Sequence, residues 1–372
     1  MQTSAPDTKT HYLILDGLRG VAAILVVLFH IMEVHFSSHA THPIHHGYMA
    51  VDFFFLLSGF VIGYAYDDRW DHMSIWDFFK IRLIRLHPMV ILAAVLGAIC
   101  FWIDPYKSNQ PGANAIRLIE VMLISFTVFP SPDIRGWGES HCLNGPAWSL
   151  FQEYIANILY AIFNKKLTKM VLWVLVTICG IALAGVTIKR GDIGAGWGYH
   201  NMWIASVRVM FSFFAGLLLF RSNKLIRIPG AFAICSLALI AIIIMPYFRY
   251  NGLYEALCII IAFPVLVAAG AGGEIKGAAA KICKFIGDMS YPIYITHYTA
   301  VYAYKSWVWN EKPSPSLYIP IAICLFTFMT LTAYASQKLY DAPVRSWLRK
   351  KLLKPQSKNS VAATFINQVT PK

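Results

Sequence analysis

The sequence predicts an all-α, polytopic membrane protein of about ten transmembrane helices with both termini in the cytoplasm. Three observations carry this expectation. Hydrophobic residues make up 57% of the chain against 14% charged, apolar runs long enough to cross a bilayer follow one another, and basic residues gather on one side of those runs. A soluble domain carries about a quarter charged residues, so most of these 372 residues have no water to face.

Apolar segments of roughly 17–25 residues are the length that spans hydrocarbon. They read at 13–33, 49–66, 87–103, 145–163, 168–188, 201–220, 229–247, 253–270, 288–308 and 317–340. The run 115–129 is short and holds Arg117 and Glu120, so it reads as an interfacial or re-entrant piece. With the N-terminus inside, 22 of the 32 Lys and Arg residues fall in cytoplasmic segments and eight outside, with Arg19 and Arg208 within helices. This obeys the positive-inside bias, whereas a crossing at 115–129 would carry the NKKLTK, RSNKLIR and C-terminal clusters outside. The chain divides into a cytoplasmic N-terminus at 1–12, one transmembrane domain at 13–344 and a basic, then polar, cytoplasmic tail at 345–372 expected to fray into solvent.

The net charge of +13 does not imply nucleic acid, because the basic residues form short runs between apolar segments. Seven cysteines, five of them in apolar stretches, do not suggest a disulfide framework. The first apolar run contains Asp16, Arg19 and His30 without a basic n-region or a cleavage site, so it reads as a retained helix.

Ionisable residues inside a bilayer are costly, and each is a candidate for function. In LDGLRGVAAILVVLFH, Arg19 and His30 are eleven residues apart, about three turns and about 16 Å of helix, and face the same way. Asp52 in VDFFFLLSGF lies near the outer surface, where a carboxylate would orient His30; Ser58 and Gly59 read as a small-residue packing face. In FFKIRLIRLHP, just ahead of the third segment, Arg82 and Arg85 are spaced i, i+3 and suit the phosphates of a nucleotide-bearing donor, or serve as plain topology anchors. Glu153 in NGPAWSLFQEY needs a partner at depth, and Arg208 is available; Trp148 fits an interfacial aromatic belt. His297 in GDMSYPIYITHY sits mid-membrane beside Pro292 and marks a polar cavity. The histidines at 35, 39, 42, 45 and 46 lack a defined ligand spacing, so no metal site is expected.

The ordered strings LDGLRGVAAILVVLFH, VDFFFLLSGF, RLIRLHP, NGPAWSLFQE and GDMSYPIYITHY resemble the acyltransferase-3 family of bacterial membrane acyltransferases over nearly the whole chain. The resemblance implies ten transmembrane helices in the bacterial inner membrane. It also implies no bound cofactor and an acyl-CoA donor, acetyl-CoA in particular. The acceptor would be an extracytoplasmic carbohydrate or lipid-linked glycan. It implies His30 as the essential histidine, Arg19 as the signature arginine and Arg82 and Arg85 as the arginine pair, and a carboxylate such as Asp52 or Glu153 is expected to orient His30. Arg82, Arg85, Trp148, Ser290, Tyr291 and His297 would then contact substrate. The longer members' C-terminal SGNH hydrolase-like domain is not seen here, so acceptor recognition is expected from the membrane domain. His30 would act as the base that activates the acceptor hydroxyl or as the acyl carrier itself. A transporter, or a membrane subunit without catalysis, is the competing expectation.

Overall fold

The computed structural model describes residues 11–36 and 38–353. Among them no strand forms beyond an isolated bridge between Glu139 and Gly198, and the rest is helix and connecting loop. The α-helices are α1 Leu13–Met32, α2 Ala50–Tyr66, α3 Ile75–Ile103, α4 Ala115–Ser125, α5 Ala147–Phe163, α6 Lys169–Arg190, α7 Met202–Ser222, α8 Ala231–Ile244, α9 Asn251–Leu257, α10 Phe263–Gly272, α11 Gly277–Glu311, α12 Tyr318–Ala335 and α13 Ala342–Leu352. π-Helical turns at Cys258–Ala262 and Ser336–Asp341 join α9 to α10 and α12 to α13.

Among the described residues, seven helical stretches are long and apolar enough to cross a membrane, built on α1, α2, α3, α6, α7, α9 with α10, and α12 with α13. The chain is therefore a multi-pass membrane protein. The other expected crossings fall on α5, which has 17 residues, on the short apolar α8, and on α11, which has the length but carries Asp288, Ser290, Thr296, His297 and Thr299. The doubtful run 115–129 forms α4, whose 11 residues rise about 16 Å, too little to span.

One boundary differs from expectation, and one proline is absorbed, for local reasons. The third helix begins at Ile75 rather than 87, because Ser74 caps it by accepting the Asp77 N–H at 3.1 Å. Arg82 and Arg85 therefore lie within α3, not ahead of it. α11 runs unbroken through Pro292. The proline has no N–H to give the Asp288 carbonyl, and Gln337 from the second π-helical turn donates to that oxygen at 3.3 Å.

Close approach of helices rests on glycine at two seams. On α11, a Cβ at Gly287 would stand 2.6 Å from the Asp16 Cβ of α1, so only glycine lets these helices meet. Where α2 crosses α7, a Cβ at Gly59 would run into the Phe213 carbonyl and one at Gly216 into the Leu56 carbonyl. Gly59 thus packs as expected. Ser58 does not merely pack, since its hydroxyl donates to Glu153 Oε1 at 2.7 Å.

The loop after α1 is stapled by its histidines. His42 Nε2 donates to the Phe29 carbonyl at 3.0 Å while its Nδ1 accepts the Ile44 N–H at 2.9 Å, and His46 Nδ1 meets Glu255 at 2.9 Å.

Gly59→Ala should lower the melting temperature in detergent, by about 1–3 kcal/mol of stability, because a backbone carbonyl cannot move aside. Gly185→Ala, where nothing lies within 4 Å, should leave melting unchanged or slightly raised. Equal effects of the two would remove the α2–α7 seam from the account. Burial pushes His42 down to about 4, the bond to the Phe29 carbonyl opposing only in part. Its folded value is below the unfolded value of about 6.5, so the unfolded chain binds the extra proton. The stabilisation is complete above about 6.5 and is lost as pH falls toward 4. Intrinsic-rate-corrected amide exchange over residues 38–46 should accordingly speed up between about pH 7 and about pH 4.5 while that of α2 stays constant.

Candidate active site

Arg19 and His30 both turn toward α11. At one end of the seam, Arg19 Nη2 reaches Asp16 Oδ1 at 3.0 Å and the Gly287 carbonyl at 2.9 Å, and its Nε donates to Ser290 Oγ at 2.8 Å. At the other end, His30 Nδ1 lies 3.0 Å from Glu33 Oε2. The His30 ring stacks on His297, centroids 5.4 Å apart, and meets Tyr298 edge-on at 4.8 Å. The Tyr298 hydroxyl donates to Glu33 Oε1 at 3.0 Å. The Glu33 carboxylate thus stands within ion-pair distance of His30 Nδ1, a nitrogen that makes no aligned hydrogen bond among the described residues. His30 and Glu33 are each 21% exposed, so the dyad is open to a small partner.

His297 is wholly buried. Its Nδ1 faces the carbonyl oxygens of Ile293 at 3.0 Å and Tyr294 at 2.9 Å, which only accept, so the proton sits there. Nε2 has no partner among the described residues and is a lone pair on the ring stacked against His30. Beyond Tyr298 the ring of Tyr302 lies 4.7 Å away, and its hydroxyl donates to Glu139. Burial pushes the Glu139 carboxyl up to about 7, against that hydroxyl and the cations Lys305 and Arg135.

The supporting carboxylates are placed differently from expectation. Asp52 does not orient His30. It is fully buried beneath Arg208, whose Nη2 donates to Oδ2 at 2.7 Å, whose Nε reaches both oxygens, and whose remaining donors take the Ala195 and Tyr48 carbonyls. Glu153 consequently does not pair with Arg208. It accepts from Arg82 Nη2 at 2.8 Å and from Ser58. The two arginines of α3 thus separate in role. Arg82 is buried on Glu153, whereas Arg85 keeps open surface and makes no ion pair among the described residues.

Trp148 lies neither in an exposed belt nor beside His30. It is buried against Phe55 with the Arg208 guanidinium 5.2 Å above its ring. Tyr291 donates to the Leu86 carbonyl at 2.6 Å, tying α11 to α3 near the arginines. No group of three or more His, Cys, Asp or Glu side chains among the described residues is arranged to hold a metal.

A family model described as an acyltransferase domain matches residues 12–337, which cover both ends of this seam. The chain belongs to the acyltransferase-3 family. It is similar to "Acyltransferase MdmB" of Streptomyces mycarofaciens, 23% identical over 77% of this chain and 78% of that protein. It is also similar to "Protein 2 in picA locus" of Rhizobium radiobacter, 33% identical over 45% of this chain and 88% of that protein. No solved structure matches. The protein is accordingly a membrane acyltransferase, and the histidine on α1 now has a carboxylate partner that sequence reasoning missed. The signal was present, since Glu33 follows His30 by three residues, one helical turn.

Two substitutions separate chemistry from architecture in this acyltransferase. Glu33→Gln should lower acyl transfer by about 10²-fold or more with folding intact, because an imidazolium formed during transfer loses the carboxylate beside it. Asp52→Asn should instead destabilise the fold, by about 3–5 kcal/mol, since it strands a buried guanidinium. Turnover and detergent melting curves read the two effects; an active Glu33→Gln enzyme would remove Glu33 from the site.

Proposed function

We propose that the protein moves an acetyl or other short acyl group from cytoplasmic acyl-CoA to a hydroxyl of an extracytoplasmic carbohydrate or lipid-linked glycan, within the bacterial inner membrane. The observation that carries this reading is the α1–α11 seam, with guanidinium groups at one end and a histidine–carboxylate dyad about 16 Å along the helix at the other. Ten crossings with both termini cytoplasmic, the arrangement favoured by 22 basic residues against eight, turn the arginine end inward and the His30 end outward.

Acyl-CoA phosphates then bind at Arg85, with Arg19, Ser290 and Tyr291 around them, and the pantetheine arm runs along the seam to bring the thioester to His30. Nε2 of His30 takes the acceptor hydroxyl proton as that oxygen bonds to the thioester carbonyl carbon. The carbon–sulfur bond breaks, and the imidazolium returns the proton to the departing thiolate as the thiol of CoA. Glu33 stabilises the imidazolium between these events.

His30→Ala should abolish acyl transfer while expression, membrane insertion and melting persist, and full acceptor modification, read by mass spectrometry of surface glycans and lipids, would remove His30 from the mechanism. For topology, a membrane-impermeant thiol reagent on intact cells should label a cysteine placed at Lys189 and spare one placed at Lys224. The opposite pattern would put the donor site on the wrong side.

A further inference from the structure

Arg345 stands on α13, beyond the residues 12–337 that carry the family match. Its Nη1 pairs with Asp341 Oδ2 at 2.9 Å. Asp341 is 2% exposed and closes the π-helical turn Ser336–Asp341, a distortion that frequently marks functional positions. Three guanidinium groups, those of Arg345, Arg349 and Arg85, act on this single buried carboxylate. Arg85 in turn has Arg82, Arg19 and Arg345 around it, and the first two already hold Glu153 and Asp16. Two positive charges are therefore left over where α3, α11 and α13 meet. Donors are left over too, since Nε of Arg345 and Nε of Arg82 are buried without a hydrogen-bond partner among the described residues. Crowded guanidinium groups with spare N–H donors are stabilised by an anion that offers several acceptors, and a phosphate group does so.

We propose that α13 forms part of the donor site, with Arg345 joining Arg85 and Arg349 to grip a phosphate at the nucleotide end of acyl-CoA. The proposal rests on the acyl-CoA reading above. A phosphate could also come from an inner-leaflet lipid, and the experiment separates the two sources.

Calorimetry of the full-length protein in phosphatidylcholine nanodiscs gives the Kd of CoA and of S-acetylpantetheine, which has no phosphate. Arg345→Gln should weaken CoA by about tenfold or more and leave S-acetylpantetheine unaffected, as loss of charge-assisted bonds requires. Arg345→Lys should recover part of the loss, because an ammonium keeps the Asp341 pair but lacks the fork. If Arg345→Gln does not fold, Arg345→Lys with an unchanged melting temperature carries the test, and an unaltered CoA Kd in that variant would overturn the role of α13. CoA affinity that falls in Arg85→Gln but not in Arg345→Gln also removes α13, while the donor reading stands. CoA affinity indifferent to both variants sinks the donor reading as well. Equal weakening of CoA and S-acetylpantetheine would mean lost shape and overturn the proposal. In phosphatidylglycerol nanodiscs, CoA binding that weakens in the wild type alone, with Arg345→Gln neutral towards CoA in phosphatidylcholine, would assign the gripped phosphate to a lipid.

Discussion

A guanidinium or carboxylate inside a bilayer keeps its charge only where a partner reaches it, and this constraint decides how the helices sit. Arg208 of α7 grips Asp52 of α2, Arg82 of α3 grips Glu153 of α5, and Arg221 at the end of α7 donates to Asp67 just past α2 at 2.6 Å. Each pair joins segments far apart in sequence, and the Ser58 hydroxyl of α2, which donates to Glu153 of α5, ties the α2–α7 and α3–α5 couples into one body. Glycines at the α2–α7 crossing bring the backbones close enough for the first pair to form. His30 and Glu33 differ, because both stand at the same end of α1, and the dyad meets α11 only through the Tyr298 hydroxyl and ring contacts.

The polar line along α1 explains why α11 is the least apolar of the long helices. Ser290 and His297 face Arg19 and His30 in register, and Gly287 removes the side chain that would hold the two helices apart. The cost of polar groups at depth is met within the seam: Arg19 is bonded to Ser290 and a carbonyl, and His297 to two carbonyls of its own helix. What is left without a hydrogen bond among the described residues is Nε2 of His297 and Nδ1 of the His30 ring stacked on it.

Much of this was legible in the sequence. Apolar runs and a basic bias give the membrane class, and one helix carrying arginine and histidine three turns apart gives the polar line along α1, because those signals are local. The partners of Asp52 and Glu153 were not legible. Each sequence position is compatible with several helices, and a wrong neighbour moves a carboxylate from His30 to Arg208 or from Arg208 to Arg82. Glu33 was legible at i+3 and passed over because it lies at the last residue of the apolar run. The start of α3 depended on a single cap, Ser74, which hydropathy does not weigh.

The pairing of Asp52 with Arg208 also bears on how the chain is made. The two residues are 156 positions apart, so at about 5–20 residues per second α2 is synthesised roughly 8–30 s before α7 can answer it. An unpaired carboxylate in hydrocarbon is neutralised by a proton, and a neutral acid is tolerated at depth far better than an ion. α2 therefore enters without the partner of its carboxylate and is fixed in place only when the guanidinium of α7 arrives. Biogenesis is thus not a simple progression from the N-terminus: the early half of the bundle waits, in the membrane, for the late half to complete it.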